Sequence, residues 1–299
     1  MLFDAALIDS VPRLVTPVLL AAIGGALCER SGVFNISLEG MMLVGAFAAV
    51  AGTFYTGSPL GGLAAALVAG AVFGLLFAFF SVWRKGDDII VSIGINILAV
   101  GLTALLLRSL FGVSGQFDDP AIAALPNIDL GPVGDIPVLG SFLSGQSVLV
   151  WLAVALAFAV HRFLHHNNLG LRLRAAGQNA EALRTVGISP ERIKTTALLA
   201  CGALCALGGA QLSISNVTLF TEGMSAGRGW IALVIVMMCR GRLLWILLGA
   251  LLFGLIDAMS VRLQGLGLPQ QATDALPYVL ALFVLALSYR RRTRRAHAA

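Results

Sequence analysis

Apolar runs of roughly twenty residues recur along almost the whole of this 299-residue chain. At about 1.5 Å per helical residue, such a run crosses roughly 30 Å of hydrocarbon. A backbone in hydrocarbon must satisfy its own hydrogen bonds, so this pattern folds as membrane-spanning helices. The runs fall near 14–28, 36–56, 60–83, 89–111, 147–164, 195–214, 229–239, 243–261 and 275–289. They predict an all-α polytopic membrane protein with about nine segments (eight to ten), the seventh too short to span alone. Composition agrees: 58% of the residues are hydrophobic and 12% charged, whereas soluble domains carry about a quarter charged. The opening residues MLFDAALIDS are acidic rather than basic, so a cleavable signal peptide is not expected.

Basic residues orient the segments, because they gather on the cytoplasmic side. Residues 162–194 hold Arg162, Arg172, Arg174, Arg184, Arg192 and Lys194, and the tail 290–299 carries five arginines. Arg84-Lys85 and Arg240/Arg242 mark two further inner turns, whereas 112–146 contains Asp118, Asp119, Asp129 and Asp135 and no Lys or Arg. These assignments alternate if nine segments cross from an outside N-terminus to a cytoplasmic C-terminus. They give one transmembrane domain over 1–289, followed by the basic tail. Pro12 and Pro17 are potential break points in the first segment. Five segments precede the polar stretch 170–194 and four follow it. Segments one and six then run in opposite directions, as in an inverted repeat. GGALCER (24–30) and CGALCAL (201–207) are only loosely alike.

Several chemistries have no residues to carry them. There is no G-x-x-x-x-G-K-[ST] phosphate loop, no H-E-x-x-H and no G-x-S-x-G. Cys28, Cys201, Cys205 and Cys239 lie in or beside apolar runs and read as packing thiols rather than disulfides or metal ligands. His161, His165 and His166 sit at the end of the fifth segment without acidic companions, which suits an interfacial anchor. No catalytic residue, metal or cofactor is expected, and no nucleic-acid partner.

Ionisable groups inside apolar segments are expensive and are read as functional by default. Glu39 opens the second segment, where a helix N-terminus favours its charge. Asp257 is the deepest candidate, with Arg262 five residues on. A proton- or sodium-coupled secondary carrier would use such carboxylates. A structural ion pair is the plainer account of Asp257.

The stretch 170–194, GLRLRAAGQNAEALRTVGISPERIK, is the one long polar, basic, helix-compatible segment among the spans. Ala176, Ala180, Leu183 and Gly187 recur at three- and four-residue spacing, which predicts a short amphipathic helix over 176–188. Gly187 would end it, and Ser189-Pro190 would open the next helix. An ordinary basic cytoplasmic loop would have a similar composition.

The wording of that stretch goes further. RAAGQNAEALRTVGI resembles the cytoplasmic coupling motif of permease subunits in ATP-binding-cassette importers, of the branched-chain amino acid and ribose type. The simple-sugar and nucleoside branch is the closest in wording. ERSGVFNISLEGMMLVGAF (29–47), IIVSIGINILAVGLT (89–103), GRGWIALVIV (227–236), GALLFGLIDA (249–258) and LPYVLALFVL (276–285) are similar in the same order. Two departures stand out. Ala180 replaces the proline usual after the Asn of the motif, and CRGRLLW (239–245) lacks the usual proline of that inner turn.

The resemblance implies a type II importer permease with a short cytoplasmic coupling helix, in a bacterial inner membrane. It implies an extracytoplasmic solute-binding protein, two ATPase domains (separate or fused in tandem) and a second permease that is a different chain. Ala176, Ala180 and Leu183 would contact the ATPase, with Gly177, Asn179 and Gly187 shaping the turn. Candidates to line the path are the polar side chains on apolar helices: Asn35, Ser37, Ser92, Asn96, Gln211, Ser213 and Asn216. The same side chains could instead tie helix to helix. The substrate implied is a nucleoside or simple sugar.

Overall fold

The computed structural model describes residues 5–128, 144–264 and 275–279. Helices α1 (Ala5–Ser31), α2 (Leu38–Thr56), α3 (Pro59–Ala78) and α4 (Asp88–Phe111) precede a loop region. Helices α5 (Val148–His166), α6 (Asn168–Gln178), α7 (Ala180–Thr185), α8 (Pro190–Ala210), α9 (Arg228–Cys239) and α10 (Leu243–Gln264) follow it. Wider π turns extend α3 through Phe79–Trp83 and α8 through Gln211–Asn216.

Among the described residues seven helices, α1 to α5, α8 and α10, are long and apolar enough to cross a membrane. The predicted segment 229–239 is α9, only 12 residues long. The ninth, 275–289, falls largely outside the described residues, as does the tail. Pro12 and Pro17 do not break α1, which runs unbroken through both. Within this stretch Thr16 Oγ1 donates to the Pro12 carbonyl at 2.7 Å, a side-chain bond back to the preceding turn of the kind that bends a helix without breaking it.

The helices form an inner and an outer set. α1, α2 and α8 are buried along most of their length, whereas α3, α4, α5 and α10 expose most of theirs. The exposed faces carry Val72, Ile97 and Phe158, as lipid-facing surfaces do. Since lipid tails are as apolar as leucine, close packing holds such a bundle together. Gly70 of α3 and Gly202 of α8 show how close: a Cβ on Gly70 would sit 2.2 Å from the Gly202 carbonyl oxygen, and one on Gly202 would sit 2.0 Å from that of Gly70.

The two ends of the bundle differ. One end collects Arg30, Arg84, Lys85, Arg184, Lys194 and Arg242 on turns and helix ends, and is called the basic end below. The fold is mostly helical, and among the described residues four two-residue strands are added to it at the other end. Gln116–Phe117 (β1) pairs antiparallel with Phe220–Thr221 (β4), and Asn127–Ile128 (β2) with Gln146–Ser147 (β3). An aromatic cluster lies beneath them, with Phe111 stacked on Phe117 at 4.0 Å and Phe47 edge-on to Phe220 at 5.3 Å. These strands join segments far apart in sequence, so no local pattern announces them.

Candidate functional site

Between α1 and α2 the chain leaves the basic end as a non-helical segment, 32–37, that runs along α4. Asp88, Ser92 and Asn96 recur every four residues on one face of α4 and receive it in order. The Phe34 N–H donates to the Asp88 carboxylate at 2.9 Å, the Ile36 N–H to Ser92 Oγ at 3.0 Å and the Gly40 N–H to Asn96 Oδ1 at 2.8 Å. Asn96 Nδ2 returns a bond to the Ile36 carbonyl at 3.3 Å. Ser81 donates to the same Asp88 carboxylate. Asn35 turns the segment inward: its Oδ1 accepts from the Ser37 N–H at 2.8 Å and from Ser37 Oγ at 2.6 Å. Its Nδ2 rests against Cys201 Sγ at 3.5 Å.

The segment delivers Glu39 to the start of α9. Its carboxylate accepts from the Gly227 N–H at 2.8 Å and from the Gly229 N–H at 2.7 Å. The sequence suggested that the N-terminus of its own helix would favour this charge. The structure adds a second N-terminus, so α2 and α9 begin at the same carboxylate. At 12 residues and about 1.5 Å per residue, α9 rises roughly 18 Å from the basic end. That depth lies within a hydrocarbon layer of about 30 Å.

A second polar cluster links α8 to β3. Gln211 Nε2 donates to Asn216 Oδ1 at 3.0 Å, and Ser147 Oγ donates to Gln211 Oε1 at 2.9 Å. Asn35, Ser37, Ser92, Gln211 and Ser213 are buried, while Asn96 and Asn216 are partly so. All but Ser213, whose hydroxyl has no partner among the described residues, direct hydrogen bonds at their own chain. The geometry is that of ties between elements, which is also what keeps a non-helical segment tolerable at membrane depth.

At the basic end, 176–188 is not one helix. Asn179 has extended φ and ψ of −154° and 92°, ending α6 and starting α7, and its side chain accepts from the Ala182 N–H at 3.1 Å. Ala176 and Gly177 therefore belong to α6. Ala176 and Leu183 are buried within the chain and Ala180 is half-buried. Gly177 lies against the end of α1, where a Cβ would be 2.4 Å from the Arg30 carbonyl oxygen. Arg30 in turn donates from Nε to the Gly241 carbonyl at 3.0 Å. Gly187 ends α7 with φ of 76°, and Ser189-Pro190 opens α8 as the sequence suggested.

Arg184 bridges Glu181 at 3.2 Å and also holds Glu191. The hydrogen bond to Glu191 raises its guanidinium above the ordinary value. Val186, 66% exposed, is the apolar side chain this turn presents outward. Sequence reasoning passed over it, although an apolar residue just before a terminating glycine in a polar stretch was a usable signal.

The ion pair of Asp257 also differs from expectation. Its partner is Arg228 of α9, at 3.4 Å, rather than Arg262 five residues along its own helix. A spacing of five puts two side chains on different helical faces. Arg228 comes close only through the fold.

Residues 7–285 match the family described as branched-chain amino acid transport system / permease component. Among similar proteins, the guanosine ABC transporter permease protein NupQ of Bacillus subtilis is 32% identical over 280 residues, covering 90% of this chain and 87% of its own. The nucleoside ABC transporter permease protein NupC of Lactococcus lactis subsp. cremoris is 31% identical over 283 residues (91% and 88%). The glucose ABC transporter permease protein TsgB13 of Haloferax volcanii is 27% identical over 292 residues (93% and 76%). A solved ABC transporter in an inward-facing conformation shares the fold, with a TM-score of 0.55 at 17% identity over 96% of this chain and 88% of that one.

Proposed function

The chain belongs to the family of branched-chain amino acid transport system permease components, and from that premise we propose how it couples, what it carries and how it sits in the membrane. It is a multi-pass permease subunit of an ABC importer, a transport component rather than an enzyme. ATP hydrolysis belongs to partner ATPases, and a binding protein supplies the solute.

The coupling element in this reading is α7 with the turns at its two ends. Supporting it is one observation: this element is braced from inside by Ala176, Leu183 and Gly177, yet presents Val186 and the polar face of α7 outward. A short helix transmits force only if it is fixed to its own body and free toward its partner. Asn179, Ala180 and Gly187 set its shape. Movement imposed by an ATPase passes from Gly177 into the backbone of Arg30 and Gly32 that it packs against, and so into α1 and the 32–37 segment. Asn35, Ser37, Ser92 and Asn96 hold the wall of the path in this scheme, and Gln211, Ser213 and Asn216 its far end.

The finer features follow the sequence. A single transmembrane domain over 1–289, crossing nine times, puts the N-terminus outside and the tail 290–299 in the cytoplasm, in a bacterial inner membrane. Two ATPase domains and a second, different permease chain complete the complex. The solute is a nucleoside or simple sugar, as the relatives' names suggest for those proteins. A gradient-driven carrier built on Glu39 and Asp257 is not favoured, since Glu39 caps α9 and Asp257 pairs with Arg228.

The test is purification of the chain from its native membrane, followed by reconstitution. Recovery of an ATPase and a second permease, with uptake that requires ATP and the binding protein, is the expected result. Uptake by the chain alone, driven by a proton or sodium gradient, overturns the reading.

A further inference from the structure

The ionisable pair in the middle of the bundle is incompletely made, and it lines a cavity. Arg228 and Asp257 touch through one contact, Nη2 to Oδ2 at 3.4 Å, and their side chains remain 22% and 28% exposed. Arg228 Nε is buried and has no partner among the described residues. The exposure opens into a cavity of about 350 Å³, within the range of about 300–1,000 Å³ typical of small-molecule sites. Leu14 and Val18 of α1, Ile231 of α9 and Phe253 of α10 form its apolar side.

The turn that carries Arg228 is held from both sides. Glu39 takes the N–H groups of Gly227 and Gly229. On the other side the Tyr278 hydroxyl donates to the Ala226 carbonyl at 2.9 Å. Gly227 has φ of 80°, and a Cβ there would lie 1.9 Å from Tyr278 Oη, so the two clamps meet across a glycine. A guanidinium presented on so fixed a backbone is preorganised for a ligand rather than free to fold back.

We infer that Arg228 and Asp257 form a transient mid-membrane subsite for a neutral ring bearing vicinal hydroxyls, a ribose or a hexose. The opposed charges cancel, which suits an uncharged solute. A carboxylate accepts from two adjacent hydroxyls, and a guanidinium donates to their oxygens in the same plane. The apolar side faces the C–H surface of the ring. Few contacts and modest affinity are what passage requires, because a solute held tightly is not released. The inference rests on the importer reading and adds to it a place where the permease itself contacts the solute.

The experiment uses the purified permease–ATPase complex without binding protein, and saturation-transfer NMR with guanosine and glucose. 2′,3′-Dideoxyguanosine and tetrahydropyran serve as probes without the diol. Ring protons of guanosine, glucose or both are expected to receive saturation, at least tenfold more than those of the matching diol-free probe. The difference is expected to vanish in Asp257→Asn and Arg228→Lys, with assembly of both variants checked by co-elution with the ATPase. Equal signals from the diol-free probes, or signals unchanged in an assembled variant, overturn the subsite. Variants that fail to assemble are replaced by Phe253→Trp, which narrows the cavity without touching the pair and must reduce the signal for the subsite to stand. Failure of the importer reading appears separately, as wild-type uptake that does not need ATP.

Discussion

Glu39 and Gly229 lie 190 positions apart in sequence and 2.7 Å apart in the fold, the carboxylate accepting the backbone N–H that opens α9. With the Gly227 N–H at 2.8 Å on its other oxygen, Glu39 joins two helix starts at one charge. Hydrogen bonds to a charged group contribute about 1.5–3 kcal/mol each. Glu39→Gln keeps one acceptor oxygen and should destabilise the permease by about 2 kcal/mol. In detergent this should lower the unfolding midpoint by roughly 4–8 °C, and Glu39→Ala should lower it further. An unchanged midpoint in Glu39→Ala would show that the cap is dispensable.

Gly202 carries a sharper steric prediction. Its substitution by Ala puts a methyl 2.0 Å from the Gly70 carbonyl oxygen, so α3 and α8 must separate. Overpacking of this kind costs about 1–3 kcal/mol. Gly94→Ala is the control, since nothing lies within 4 Å of its Cβ position, and it should be neutral or slightly stabilising. Equal midpoints for the two variants would sink the packing argument.

Val186 tests the coupling surface with the least damage to the permease. It is 66% exposed, so Val186→Asp should leave thermal stability within about 0.5 kcal/mol while weakening ATPase association tenfold or more, about 1.4 kcal/mol. Leu183→Asp is the contrasting case: Leu183 is 6% exposed, and a charge there should lower stability and association together. Co-purification yield beside a melting curve separates the two. Full ATPase recovery with Val186→Asp would move the contact elsewhere.

The thiols give a check on burial. Cys28, Cys201 and Cys205 are buried and Cys239 is intermediate. Brief treatment of the folded protein with a maleimide should label Cys239 alone, whereas denatured protein should label at all four positions. Rapid labelling of Cys201 in the folded state would mean that the α1–α8 contact opens readily.

The class of this protein was legible from sequence because hydrophobicity is a local property. A run of some twenty apolar residues has few options other than a spanning helix, and the ordered blocks from ERSGVFNISLEG to LPYVLALFVL carried the family resemblance. Helix punctuation was local too, so Gly187 and Ser189-Pro190 fell where the sequence put them. The break at Asn179 was less visible, because an Asn can either continue a helix or cap the next one.

What the tertiary structure alone decided is where the rare polar groups find partners. Asp88, Ser92 and Asn96 announce a polar face on α4, but nothing in their spacing names the backbone of Phe34, Ile36 and Gly40 as its occupant. Asp257 had a basic neighbour in sequence, and the fold chose Arg228. The spacing of Ala176 and Leu183 announced an apolar helical face, and the fold packs both side chains against their own chain. In each case an apolar surround leaves a polar atom no water to bond with, so its partner must come from whichever segment packing brings near. Sequence fixes that such a partner is required, and only the packing of distant helices determines which residue it is.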